Sequence, residues 1–510
     1  MLKKYKSYII VICLLVFLFL LSVLTLVATG DFHPKVSNVI ILLLLISLTL
    51  GSKKSYCLII LPASIIVALY APVGFTYGFP SYQYMSSLFA TDVQESLEFL
   101  TLISYDAYAV SVLIPILFYI LHLLSCKFKI RPIKNRTYVM LIAIIMTLSS
   151  GALVFIKKTS GSINDLKSDQ AELSNYVSEN NWGDIHLTDK TKYDDYILVI
   201  GESARKDYFH VYGYPVGNTP FLDGVKGVIV DGLTSGDTYT IDSLRLMLTQ
   251  GDPHNWLPQY NKNIIGMVNK AGIESYWLSN QGQFGKWDSP VSAIAKNAGY
   301  SYFTKFQGYD ESNIQDSVLL RKLANVLSKS TNKKRLIVLH TMGSHPNACA
   351  RIKNMDVRYK SRSKINDDIA CYISSIRQTD DFLKEAYNIL KFNNRGRTFS
   401  LVYFSDHGLA HQKINGDIKL NNNYNSKYHY DIPLVKISSD DDKRTVVTSR
   451  KSGLMFVNGL AEWMGIEGGS ISSYNLFDGI SNPQDYGLSK KVYEIDDPAI
   501  NLVDDLTLEH

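Results

Sequence analysis

The chain has 510 residues, and 52 basic against 47 acidic side chains leave a formal net charge of +5. The basic residues of the first third sit in short loops and the remainder mixes both signs. No basic stripe is interleaved with aromatics, which excludes a nucleic-acid partner.

Five apolar stretches come first, at about residues 8–28, 36–50, 55–71, 107–126 and 137–156. A membrane-crossing helix needs about 20 largely apolar residues. The first, fourth and fifth meet that length, and the second and third sit back to back around Gly51-Ser52-Lys53-Lys54 as a membrane hairpin. The first is too long, and lacks a small-residue cleavage site, for a secretory signal peptide. Lys3, Lys4 and Lys6, then Lys53 and Lys54, then Lys127, Lys129, Arg131, Lys134 and Arg136 all fall on one side if every stretch crosses. The positive-inside bias makes that side cytoplasmic, and an odd number of spans exports the remainder of the chain. Residues 1–156 therefore read as a five-helix membrane domain.

Between the third and fourth spans lies a loop, residues 72–106. Its second half, TDVQESLEFLTLISYD, spaces Val93, Leu97, Leu100 and Leu102 as on a helix, beside Asp92, Glu95 and Glu98. An amphipathic helix in the membrane interface fits, either holding a lipid headgroup or packing beneath the exported domain. Residues 157–192 are polar and read as a linker with one short helix near 165–180. Cys13, Cys57 and Cys126 lie in or beside the spans as small apolar filler. Cys349 and Cys371, an isolated pair in an oxidising compartment, read as a disulfide.

Residues 193–510 suffice for one large α/β domain. Apolar runs at 197–200, 228–230, 275–278, 336–339, 401–404 and 434–437 read as buried strands, with helices between them at 365–390 and 452–463. The alternation predicts a parallel sheet with helices on both faces, whose ligands bind past the carboxyl ends of the strands. The first run leads into Glu202 (GESAR), and the fifth into Asp406 and His407 (SDHGL). A Glu, an Asp and a His at such edges suit a divalent cation, zinc or manganese. Each has a plainer reading, a helix N-terminal charge for Glu202 and a turn with a surface histidine for SDHG. The strand RLIVLH carries His340 at its end, in a core or hinge role. His345 follows in the loop TMGSHPN, placed to bind a phosphoryl oxygen, ligate a second metal, act as general acid, or simply be a satisfied loop histidine. Thr240 lies where GLTSGDTYTIDSLRLMLTQ turns helical, with Thr238 just before it. Helix capping is its ordinary role, but a neighbouring metal would make a hydroxyl there a nucleophile.

The five spans, GES with its Arg, the Thr before a Ser-Leu helix, HTMGSHP and SDHG together resemble the lipid-linked phosphoethanolamine transferases of Gram-negative envelopes, in the alkaline phosphatase and sulfatase superfamily. SDHGL and YDIPLVKISSDD are most similar to the branch acting on the Kdo sugars of lipopolysaccharide. The resemblance implies an alkaline-phosphatase-like α/β domain in the periplasm, carried by an inner-membrane multi-pass domain. It implies a metal site of Glu202, Thr240, Asp406 and His407, with Thr240 (alternatively Thr238) as nucleophile and His345 as the catalytic loop histidine. One zinc ion is implied, with room for a second, and manganese ranks behind it. The histidine such enzymes carry about a dozen residues after the Asp-His pair has no aligned counterpart, and His411 and His429 stand as substrate-binding substitutes. The implied reaction moves phosphoethanolamine from phosphatidylethanolamine to lipopolysaccharide (Kdo, lipid A or core sugar) through a phospho-threonine. A phosphoglycerol transferase of envelope glycans or polymers is the alternative reading, and a non-catalytic membrane scaffold the third. A sulfatase proper would place its Cys or Ser in a C/S-x-P-x-R setting, which this sequence lacks. Nothing in the sequence implies an oligomer.

Overall fold

The computed structural model describes residues 2–90, 93–129, 152–251, 257–283, 289–306, 314–352, 355, 358–393, 395–422, 426–482, 487–490, 492 and 494–509. Contacts divide the chain into two compact units, residues 1–85 with 99–167, and residues 86–98 with 168–510.

The helices of the first part of the chain are α1 (Leu2–Ala28), α2 (Val36–Ser47), α3 (Lys53–Tyr77), α4 (Tyr82–Ala90), α5 (Val93–Thr101), α6 (Tyr105–Lys127) and α7 (Ala152–Tyr176). Three, spanning Tyr8–Ala28, Lys53–Tyr77 and Tyr105–Lys127, are long and apolar enough to cross a membrane. Helix α2, expected as a span, has 12 residues, and at about 1.5 Å each these fall short of a hydrocarbon core about 30 Å thick. Most of the fifth expected span lies outside the described residues. Helix α6 starts where the Ser104 hydroxyl accepts the Ala107 N–H, with Asp106 in its first turn and Lys127 in its last. Leu14, Leu18, Leu21, Ile114, Phe118 and Leu121 pack together, while Leu58, Leu69 and Val112 point outward. Outward apolar side chains on helices that satisfy their own backbones suit a lipid surround.

The second unit is built on an eight-stranded sheet: β1 (Asp195–Gly201), β2 (Gly227–Thr234), β3 (Glu274–Gln283), β4 (Tyr300–Phe306), β5 (Arg335–His340), β6 (Phe399–Ser405), β7 (Asp431–Ser438) and β8 (Arg444–Ser452). Their spatial order is β8-β2-β7-β6-β1-β5-β3-β4. All run parallel except β7, which is antiparallel to both neighbours. Successive side chains of the central strands alternate between two cores. Leu198, Ile200, Val402 and Phe404 join Leu244, Met455 and Phe456 on one face. Ile197, Val199, Leu401 and Tyr403 join Leu323, Ile373 and Ile376 on the other. The covering helices include α8 (Thr240–Met247), α9 (Ser317–Leu327), α10 (Asp367–Asn393) and α11 (Phe456–Met464).

Within the stretch expected to be a linker, Trp182 is fully buried and Ile185–Leu187 pairs with Ile466–Gly468. Helix α7 is also a continuous 25 residues, because its apolar positions find partners such as Tyr260 and Ala293 around Leu173. Cys349 and Cys371 are joined, tying the segment after β5 to α10. On α5, Leu97 and Leu100 are exposed while Glu98 is buried.

Candidate active site

Strands β1 and β6 are parallel neighbours, and their register sets Gly201 opposite Ser405. The next residue of each chain, Glu202 and Asp406, therefore leaves the sheet side by side. Both are buried, as is His407. One ligand atom from each of the three lies within 4.8 Å of the others.

The surroundings aim these groups inward. Asp406 Oδ1 accepts the N–H groups of Ser203 and His407, each at 2.8 Å, which leaves its buried Oδ2 without a hydrogen-bond partner. His407 Nδ1 donates to the Gly408 carbonyl at 2.7 Å, so Nε2 keeps its lone pair for the site. The Ser203 hydroxyl donates to Glu202 Oε1 at 2.8 Å from a left-handed backbone (φ 56°), a conformation that costs a non-glycine residue about 1–3 kcal/mol. Gly408 permits the tight turn, because a Cβ there would sit 2.1 Å from the Tyr428 carbonyl oxygen. Burial, and secondarily the charge of Asp406, push the Glu202 carboxyl well above its ordinary range. Two buried carboxyl groups and an imidazole nitrogen, with one oxygen orphaned, form a donor set that a divalent cation fits. Three such ligands also leave a position open for a reacting group.

Thr240 stands beside these three residues. As the first residue of α8 it sits at the helix's positive end. Its hydroxyl donates to Glu202 Oε1 at 3.1 Å and lies 3.2 Å from His407 Nε2. Ser243, one turn on, donates to the Asp406 carbonyl at 2.6 Å and holds the helix against the SDHG turn. Thr238 points elsewhere, its hydroxyl 3.4 Å from Asp237 Oδ1.

The histidines divide. The Ser344 N–H donates to the Glu202 carbonyl at 3.0 Å, which brings His345 to the site, and burial, Arg351 and Lys305 hold its imidazole well below the ordinary range, hence neutral. Its Nδ1 is 3.4 Å from Arg351 Nη2. His340 is buried in the sheet, its Nδ1 3.4 Å from the Ser279 hydroxyl, and burial lowers it to about 4. His411 has both ring nitrogens engaged, Nδ1 with Asp497 at 2.8 Å and Nε2 with the Tyr208 hydroxyl at 2.6 Å. It anchors the C-terminal segment and has no ring nitrogen left for a substrate. His429 caps the turn before β7 through Nδ1, at 3.1 Å from the Ser426 N–H. Its buried Nε2 has no partner, and burial lowers it to about 3. Its carbonyl accepts the Gly408 N–H at 2.7 Å, so of the two substitutes His429 is the one beside the SDHG turn.

The sequence did not single out Gln281, whose Nε2 lies 3.4 Å from Glu202 Oε2 and donates to the Thr341 carbonyl at 2.8 Å. It did not single out Lys305 or Asp316 either. Asp316 accepts the N–H groups of Met342 and Gly343 at 2.7 and 3.0 Å and so fixes the loop before His345. The usable signal for Gln281 was its place at the carboxyl end of a strand.

Residues 194–466 match the sulfatase family. Over 401 residues, 76% of this chain and 81% of the relative, the sequence is 40% identical to a putative phosphoethanolamine transferase of Haemophilus influenzae. Over 434 residues, 80% of each protein, it is 32% identical to the phosphoethanolamine transferase OpgE of Escherichia coli. The integral membrane protein lipooligosaccharide phosphoethanolamine transferase A of Neisseria meningitidis has a similar fold, with a TM-score of 0.61 at 17% identity over 93% of this chain and 98% of that one.

Proposed function

The chain belongs to the sulfatase family, among its phosphoethanolamine transferases, and we propose that it moves phosphoethanolamine from phosphatidylethanolamine to lipopolysaccharide through a phospho-threonine at Thr240. The observation that carries this reading is the Thr240 hydroxyl, 3.1 Å from Glu202 and 3.2 Å from His407 at the start of a helix. Its catalytic domain works in the periplasm, held at the inner membrane by apolar helices. The missing C/S-x-P-x-R setting agrees with a threonine rather than a sulfatase-type nucleophile.

Glu202, Asp406 and His407 would hold one zinc ion, which supplies Lewis acidity at the phosphoryl group and favours the ionised form of a nearby hydroxyl. The Thr240 oxygen attacks the donor phosphorus, an O–P bond forms, and the bond to the diacylglycerol oxygen breaks. The proton that Thr240 gives up, first shared with Glu202 Oε1, ends on the departing diacylglycerol hydroxyl. His345, held neutral, steadies a phosphoryl oxygen by hydrogen bonding rather than by proton donation. A sugar hydroxyl or phosphate of the acceptor then attacks the same phosphorus. Its proton passes to the Thr240 oxygen as the first O–P bond breaks. Two displacements through one side chain let a single site serve two lipids in turn.

The test is headgroup-labelled phosphatidylethanolamine supplied to the purified full-length enzyme. The expected result is diacylglycerol release and a Thr240 peptide carrying phosphoethanolamine by mass spectrometry, both lost in Thr240→Ala. Label taken instead from phosphatidylglycerol would overturn the donor, and a modified Thr238 would move the nucleophile.

A further inference from the structure

Helix α5 carries a buried ion pair that the chemistry above does not use. Residues 86–98 belong to the same compact unit as the sheet. Glu98 is buried, and its Oε2 lies 2.6 Å from Nη2 of Arg351, which is buried as well. The same Nη2 is 3.4 Å from Nδ1 of His345. Arg351 ends the short helix Ala348–Arg351, six residues after His345, and the Cys349–Cys371 bond ties that helix to α10.

A guanidinium carries donors and no acceptor, so an imidazole nitrogen facing it presents a lone pair. Nδ1 is then the unprotonated nitrogen of His345, and the proton resides on Nε2. Nδ1 also lies 3.3 Å from the Pro346 carbonyl, a contact that calls for the opposite tautomer. The permanent charge of arginine makes its hydrogen bond the stronger of the two. The carboxylate of Glu98 fixes where that guanidinium sits.

We propose that the buried Glu98–Arg351 ion pair holds His345 in its Nε2–H tautomer, making Glu98 a positioning residue for the hydrogen bond His345 gives to the transferring phosphoryl group. The proposal rests on the transferase reading of the site. On this account Glu98 sets the donor side of a histidine 247 positions later (345 − 98).

The decisive experiment exchanges the charges. In the doubly substituted enzyme Glu98→Arg with Arg351→Glu an ion pair persists, but a carboxylate now faces His345 Nδ1 and demands a proton there. Full-length zinc-loaded enzyme would be assayed with headgroup-labelled phosphatidylethanolamine. Each single substitution and the exchange are expected to lower kcat by roughly tenfold or more with KM within about twofold, while the exchange regains the thermal midpoint. An exchange that restores kcat overturns the proposal and makes the pair a scaffold only. Should the exchanged protein not fold, Glu98→Gln in the wild-type and His345→Ala backgrounds decides. A loss of about tenfold in the first and almost none in the second is expected, and equal losses overturn it. A wild-type enzyme that releases no diacylglycerol overturns the transferase reading, and this proposal falls with it.

Discussion

At the start of β1, Asp195 is fully buried between two guanidinium groups, Arg335 at 2.6 and 2.9 Å and Arg397 at 3.0 and 3.1 Å. Just past the end of the same strand, Glu202 and Asp406 are buried side by side, and one Asp406 oxygen has no hydrogen-bond partner. Taking a carboxylate out of water costs several kcal/mol, and the Asp195 cluster offsets this with charge-assisted hydrogen bonds from within the chain. The Glu202 cluster receives backbone N–H and hydroxyl donors but, among the described residues, no guanidinium, and Ser203 adds backbone strain beside it. A buried acid matched by arginines joins strands together, whereas buried acids left unmatched mark where something from outside must bind.

The contrast makes measurable demands, beginning with the largest. Asp406→Asn is expected to cut transfer by on the order of a thousandfold or more and to abolish bound metal, without lowering the stability of the metal-free protein. Metal analysis and chemical denaturation after chelation check this. Arg335→Met should instead cost about 3–5 kcal/mol of stability, read from denaturation, while each folded molecule keeps its activity. If both substitutions destabilise the metal-free protein alike, the two ends of β1 do not differ in kind. Gly408→Ala drives a methyl into the Tyr428 carbonyl and should cost about 1–3 kcal/mol, with activity lost as the SDHG turn shifts. Gln281→Ala removes a hydrogen bond that orients Glu202, and metal affinity measured against a competing chelator should weaken by about tenfold. Unchanged affinity would leave Gln281 as a prop for the Thr341 carbonyl alone.

The six strands legible in the sequence are the interior ones of the sheet, where apolar runs are longest. Strands β4 and β8 went unread: they are the two edges of the sheet, and YSYFTKF and RTVVTSRKS mix polar with apolar residues as edge strands do. The reversed direction of β7 left no trace either, since LVKI reads the same way in both orientations. Glu202, Asp406, His407 and Thr240 could be found because each sits where a periodic segment begins or ends. His429 was named only beside His411, because it approaches from the turn before the antiparallel strand, where no periodic segment marks which of the two lies nearer the site. Gln281 was hidden because β3, expected to stop at residue 278, continues to Gln283. Helix α2 is shorter than its apolar run, because composition alone does not say where a helix stops. The role of Glu98 depends on a contact across 253 positions that no local pattern encodes.

The parallel pairing of β1 with β6 also governs when the cation seat can come into being. Ser203 and Asp406, 203 positions apart, are brought together by one step of strand register. No fragment that stops before His407 contains the seat, however well its earlier portion folds. A cation held by these three side chains would therefore be captured only after the polypeptide has been delivered through His407.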